Sequence, residues 1–237
     1  MSSLYAVNIN VAVAANVSFA IVDIKKEFNK LYPDTNVKII LGSSGKLTAQ
    51  IKNGAPFHIF MSANMKYPEA LFRDKMALSN PKIYAEGRLA LISTKKQDFS
   101  KGIDLVLSDK IDKIAVANPK TAPYGKASYE ALKNAKLLEK VQKKFVFAES
   151  ISQTLSYTIA ATDLGFIARS SLYSPKMKRF KEGENWDEIE PSLYTPIKQG
   201  IVILKHGKKS VEAKKFYEFI LSDEAKKIFS NYGYKTL

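Results

Sequence analysis

Four short segments carry small, hydroxyl or amide residues where an apolar run gives way to a helical pattern: AAN at 14–16, GSSG at 42–45, ANPKTAPYGKAS at 117–128 and AESISQTL at 148–155. A helix start leaves several backbone N–H groups outside the helical ladder, and the aligned peptide dipoles there favour an anion. The chemistry such a set could do is binding: neutral donors gathered around one small oxyanion. Taken singly, each segment is also an ordinary helix cap, since Ser and Asn are preferred there. Two in each half of the chain make the joint pattern. Glu149 is the only acid within the four segments. Facing an anion it would repel, so it is expected to turn away or to serve as a hinge contact.

Other chemistries lack their residues. No G-x-x-x-x-G-K-[ST] stretch is present, which removes nucleotide hydrolysis of the P-loop type. Ser43 and Ser44 lack the G-x-S-x-G elbow and a histidine base, and no carboxylate pair is placed for acid–base work. The absence of cysteine excludes disulfides, thiolate metal sites and a Cys nucleophile. His58 and His206 are far apart in sequence and are read as structural or surface residues.

The elements that must position these loops follow from hydrophobic periodicity. AVNINVAVAA, NVKIIL and HIFMSA read as strands, with VSFAIVDIKKEFNKLYP, KLTAQIKNG and KYPEALFRDKM as the helices after them. A second series has strands RLALIST, KIAVANP, KFVFAES and LGFIARSSL, with helices LVLSD, GKASYEALKNAKLLEKVQ and SQTLSYTIAATD. KQGIVILK is a further strand, and SVEAKKFYEFILSDEAKKIFSNYG is a helical pair with Ser222 and Asp223 at its turn. The fold class is therefore α/β: two lobes of mostly parallel sheet, whose ligands sit at the carboxyl ends of the strands. IYAEGRLALI and TPIKQGIVIL are the expected crossings. They put residues 1–86 and 198–237 in lobe I and 87–197 in lobe II, with a ligand cleft between them. The aromatic residues Tyr67, Phe72, Tyr157 and Phe216 recur at helical spacing and are expected in the core.

An apolar fraction of 46% over 237 residues provides for a sizeable core. The net charge of +14, from 37 Lys and Arg against 23 acids, raises nucleic acid as a partner. The lysines are scattered in pairs along amphipathic helices with no RNP or helix-turn-helix signature, so a solvated basic surface is the reading taken and no nucleic-acid partner is expected. No stretch approaches a membrane span, and MSSLYAVNIN has neither a basic n-region nor a long apolar h-region. Since Tyr5 to Ala15 already reads as a core strand, a mature exported form with its signal peptide absent is expected.

GSSG-x-L-x-x-Q-I-x-x-GAP-x-x-x-F-x-SA, together with NP-x-x-x-P-x-G, AESISQTL with DLGFIARSS behind it, and AKKFYEFILSDEAKKIFSNYGY, resembles the periplasmic molybdate-binding proteins of ABC importers over essentially the whole chain. These are type II substrate-binding proteins. The resemblance implies the periplasmic binding protein-like II fold, two lobes hinged by crossing strands, no catalysis and no cofactor. It also implies a monomer that binds molybdate or tungstate in the periplasm and delivers it to a membrane permease, the metal being held as its oxyanion. The matching site positions are Asn16, Ser44, Tyr124, Ile151 and Ala168, with Ser43 and Ser152 beside them. Asn16 stands where the family has a serine, Tyr124 where a small residue is common, and Ala168 where a tyrosine hydroxyl is usual. The Ser152 hydroxyl or the Tyr124 phenol is expected to make up the missing bond. Alternatives are a binder of sulfate, phosphate or ferric ion, or the ligand-binding domain of a regulator.

Overall fold

The computed structural model describes residues 7–236; Tyr5 and Ala6 of the expected first strand lie outside the described residues. The elements are, in order, β1 (Val7–Ala14), α1 (Ala20–Leu31), β2 (Thr35–Gly42), α2 (Ser44–Lys52), β3 (Ile59–Ser62), α3 (Lys66–Arg73), β4 (Lys82–Gly87) and β5 (Leu89–Ile92). There follow β6 (Ile114–Ala117), α4 (Pro123–Asn134), α5 (Leu138–Val141), β7 (Phe145–Ala148), α6 (Ile151–Ala160), β8 (Leu164–Ala168), β9 (Trp186–Glu188), β10 (Ile197–Ile203), α7 (Val211–Ile220) and α8 (Asp223–Asn231). Two compact units result. Unit 1 comprises the residues up to Glu86 together with those from Lys198 onward, and unit 2 is Gly87–Ile197.

Unit 1 is built on a sheet of order β2-β1-β3-β10-β4. Its interior strand β1 is fully buried from Val11 to Ala14, as a strand covered on both faces must be. On one face Ala20, Ile21, Ile24 and Phe28 of α1, spaced at helical intervals, pack with Phe216, Phe219 and Phe229 of α7 and α8. On the other, Leu47 and Ile51 of α2 and Leu71 of α3 cover Ala12 and Phe60. Ser222 caps α8, its hydroxyl accepting the Ala225 N–H, as its place before Asp223 suggests.

Unit 2 has a sheet of order β7-β6-β8-β5-β9. Strands β5, β6 and β8 are buried along their whole length. Helices α4 and α6 pack on β6 and β8.

Both sheets are mixed rather than mostly parallel. β10 runs antiparallel to β3, and β5 antiparallel to β8 and β9. The reason lies in where the chain enters each unit. Gly200 pairs with Ser62 at the end of β3, and Leu89 with Ala168 at the end of β8. A strand entering at the carboxyl end of its neighbour must run against it.

Other differences are local. IYAEGRLALI divides at Arg88 into β4 and β5. The long helix expected after residue 125 breaks between α4 and α5, where Lys136 adopts φ +60. Strand β9 lies in a polar stretch with no alternating pattern to announce it. Phe216 is fully buried, but Phe72 is 38% exposed and Tyr67 and Tyr157 are half-buried.

Candidate functional site

The unit 1 loops meet at the carboxyl ends of β1, β2 and β3. Ala14 and Gly42 are register partners, so the single 3-10 turn Ala15–Val17 after β1 and the start of α2 after β2 begin side by side. Ser43 is the N-cap of α2, its hydroxyl accepting the Lys46 N–H at 3.4 Å. The Leu47 N–H returns to the Ser43 carbonyl, so the Ser44 and Gly45 N–H groups stand in the first turn outside the ladder. Ser44 is 1% exposed, and its Oγ accepts the Ala63 N–H at 3.0 Å from the end of β3. A hydroxyl that accepts there keeps its own proton for another acceptor.

Asn16 is buried, and both hydrogens of its amide are directed inward. Nδ2 donates to Gln199 Oε1 at 2.9 Å and to the Tyr234 hydroxyl at 3.1 Å. Tyr234 in turn donates to the Asn16 carbonyl at 2.8 Å. Because the Tyr234 proton goes to that carbonyl, the Asn16 amide must present its NH2 side, which fixes the rotamer. Tyr84 donates to the same Gln199 oxygen at 2.8 Å. Burial lifts the Tyr84 phenol well above its ordinary range, with Tyr234 adding to the effect, so it stays a protonated donor. The amide that the sequence offers as an anion donor is thus engaged inside unit 1, by Gln199 and Tyr234.

In unit 2 the register pair Ala117 and Ala148 brings the ends of β6 and β7 together. Asn118 shapes the following turn, its side chain accepting the Lys120 N–H and its carbonyl those of Thr121 and Ala122. Pro123 opens α4, where its fixed φ suits the first helical position. Gly125 packs so closely on β6 that a Cβ there would lie 2.1 Å from the Ala117 carbonyl oxygen. The Tyr124 and Gly125 N–H groups thus sit in a first turn pressed onto the strand end, and Tyr124 is 1% exposed.

Ser150 caps α6 by accepting the Gln153 N–H, while Gln153 Oε1 accepts the Glu149 N–H at 2.7 Å. This reciprocal pair resembles a capping box and leaves the Ile151 and Ser152 N–H groups in the first turn. Ser152 Oγ lies 3.3 Å from Ser150 Oγ. Glu149 is exposed. Ala168 ends β8 fully buried and offers only a methyl group.

Each unit thus brings its own expected residues together: Asn16, Ser43 and Ser44 in one, Tyr124, Ile151 and Ser152 in the other. Sequence reasoning missed Tyr84, Gln199 and Tyr234. Gln199 left a signal, a polar residue in the apolar run IKQGIVIL, and it is fully buried. Among the described residues there is no group of three or more His, Asp or Glu side chains able to hold a metal ion. No described helix is long and apolar enough to cross a membrane.

The chain matches the family of bacterial extracellular solute-binding proteins over residues 9–235. It is 34% identical to the molybdate-binding protein ModA of Azotobacter vinelandii over 97% of its own length and 90% of that protein. With ModA of Rhodobacter capsulatus the identity is 35%, over 95% of this chain and 87% of the other. The solved structure of the periplasmic molybdate-binding protein of Azotobacter vinelandii matches with a TM-score of 0.89 at 32% identity, covering 97% of this chain and 99% of that one. With two α/β units, paired first-turn loops in each and a family match along nearly its whole length, the chain belongs to the bacterial extracellular solute-binding proteins.

Proposed function

We propose that the protein captures molybdate outside the cytoplasm as its oxyanion, on neutral donors, and delivers it to an ABC importer. The observation that carries this reading is the side-by-side placement, within each unit, of two first turns rich in N–H groups at the carboxyl ends of the strands. Exposed Glu149 is the only acid in those loops. Relatives about one-third identical over nearly the whole chain are named for molybdate, and their names describe binding, not catalysis.

In unit 1 the donors are the Ser44 hydroxyl, the N–H groups of Ser44 and Gly45, and the main chain of the Asn16 turn. In unit 2 they are the N–H groups of Tyr124, Gly125, Ile151 and Ser152. The Ser152 hydroxyl supplies the bond that Ala168 cannot. Each hydrogen bond to a charged oxygen is worth roughly 1.5–3 kcal/mol once water is excluded. A conformation that the bound anion favours is what a membrane permease would distinguish. The metal stays inside its oxyanion, so no side chain ligates it. Tungstate has the same charge and shape and fits the same donors, whereas a smaller tetraoxyanion such as sulfate leaves bonds long.

Isothermal titration of ligand-free protein with molybdate, tungstate, sulfate and phosphate tests this. One-to-one binding of the first two with no heat from the others is expected. Preference for sulfate or phosphate, or silence from all four, would overturn the assignment.

A further inference from the structure

The buried polar group around Gln199 joins the anion loop of unit 1 to both places where the chain leaves and re-enters that unit. Tyr84 lies just before the departure at Glu86, and Gln199 just after the return at Lys198. Tyr234 precedes Lys235, whose backbone exchanges two hydrogen bonds with Glu86, at 2.7 and 2.9 Å. All three side chains converge on Asn16, directly or through Gln199 Oε1, which accepts from both Asn16 and Tyr84. Gln199 is fully buried and Tyr84 and Tyr234 nearly so, which makes every bond in the group costly to break. A buried Gln in a sheet-core strand also contributes less to packing than the Ile or Val that strand otherwise uses.

We propose that Gln199 is a positioning residue for the anion loop: held by Tyr84, its carboxamide fixes Asn16 and links the presentation of that loop's N–H groups to the two crossing segments. The role rests on the oxyanion-binding reading above. It works through geometry. Rotation of either crossing strand moves an acceptor or donor of this group, and the Asn16 turn must follow or lose a bond. An anion seated on the turn correspondingly stabilises one conformation of the crossings.

Tyr84→Phe and Gln199→Leu are the informative variants, with Phe28→Leu as a control that disturbs the α1–α7 core of the same unit. Tyr84→Phe removes one hydroxyl, which donates to Gln199 Oε1 at 2.8 Å and lies 3.3 Å from the Ser62 carbonyl but does not touch the Asn16 turn, and it preserves the ring. Molybdate affinity is read by titration, release rate by filtration of labelled molybdate, and stability by the melting temperature of the ligand-free protein. Loss of one buried bond that matters only for presentation corresponds to about a tenfold weakening. Both variants are expected to weaken binding by about that factor, chiefly through faster release, while Phe28→Leu lowers the melting temperature and leaves affinity within about twofold. Affinity and release rates unchanged in both Tyr84→Phe and Gln199→Leu, in a protein that binds molybdate when unaltered, would overturn the positioning role alone. Failure of the unaltered protein to bind molybdate would overturn the oxyanion reading, and this role with it.

Discussion

Gly125→Ala is the sharpest probe of how unit 2 aims its donors. A Cβ at that position would stand 2.1 Å from the Ala117 oxygen and 2.7 Å from its carbon, both backbone atoms at the end of β6. Side-chain carbons in real structures essentially never come closer than 3.0 Å, so the first turn of α4 or the strand end must move by about 0.9 Å. The turn carries the Tyr124 and Gly125 N–H groups with it. A charge-assisted bond of about 2.8 Å lengthened by that amount is no longer a hydrogen bond. Losing one such bond costs roughly 1.5–3 kcal/mol, which is about ten- to a hundredfold in affinity. Overpacking itself lowers stability by roughly 1–3 kcal/mol. Urea unfolding of the ligand-free variant measures the second quantity, and titration with molybdate the first. A variant that loses stability yet binds molybdate within twofold of the unaltered protein would show that the α4 turn does not hold the anion.

Ser44→Ala should act twice on the proposed site, since its hydroxyl accepts the buried Ala63 N–H and, in that proposal, donates its proton to the oxyanion. A stability loss of roughly 1–3 kcal/mol and a weakening of molybdate binding of about tenfold or more are expected from urea midpoints and titration. Ser152→Ala should weaken binding severalfold while Tyr124→Phe changes nothing, if the compensating donor for Ala168 is the serine; the reverse pattern in paired titrations would move that role to the phenol. Acid should selectively destabilise unit 1 through His58, whose pKa is lowered first by burial and then by the His206 ring packed 4.7 Å away. Its Nδ1 accepts the Asn10 N–H at 3.0 Å, a bond open only to the neutral ring. The unfolded chain therefore takes up the proton first as pH falls below about 6.5, so the stability from this group is complete above that value and is lost through the folded pKa. In a urea midpoint series from pH 8 to pH 5, His58→Asn, which keeps an acceptor, should flatten the decline.

Much of the scaffold could be read from periodicity because its elements are pure cases. Ala20, Ile21, Ile24 and Phe28 repeat at helical spacing, and β6, IAVA, is apolar throughout because both its faces are covered. What stayed hidden was set by tertiary context. Strand β9 is half-buried along WDE and exists because β5 offers it an edge. The antiparallel sense of β5 and β10 depends on the end at which the chain enters each sheet, which no local pattern records. The site divides in the same way. Ser43 and Ser44 are legible as a cap and its successor, since capping chemistry is local. The inward engagement of Asn16 by Tyr234, 218 residues away, is not. The two histidines likewise read as unrelated residues until β3 and β10 bring their rings together.

The division of the chain has a consequence for the order of folding. Unit 2 is one uninterrupted stretch, whereas the sheet of unit 1 has β10, made after unit 2, seated between β3 and β4. Its core likewise waits for Phe216, Phe219 and Phe229. Because contacts so distant in sequence form late, a chain emerging from the ribosome would complete unit 2 while β3 still presents an open edge. A fragment ending before Lys198 should therefore hold a folded second unit beside a first one that remains sticky and susceptible to proteases.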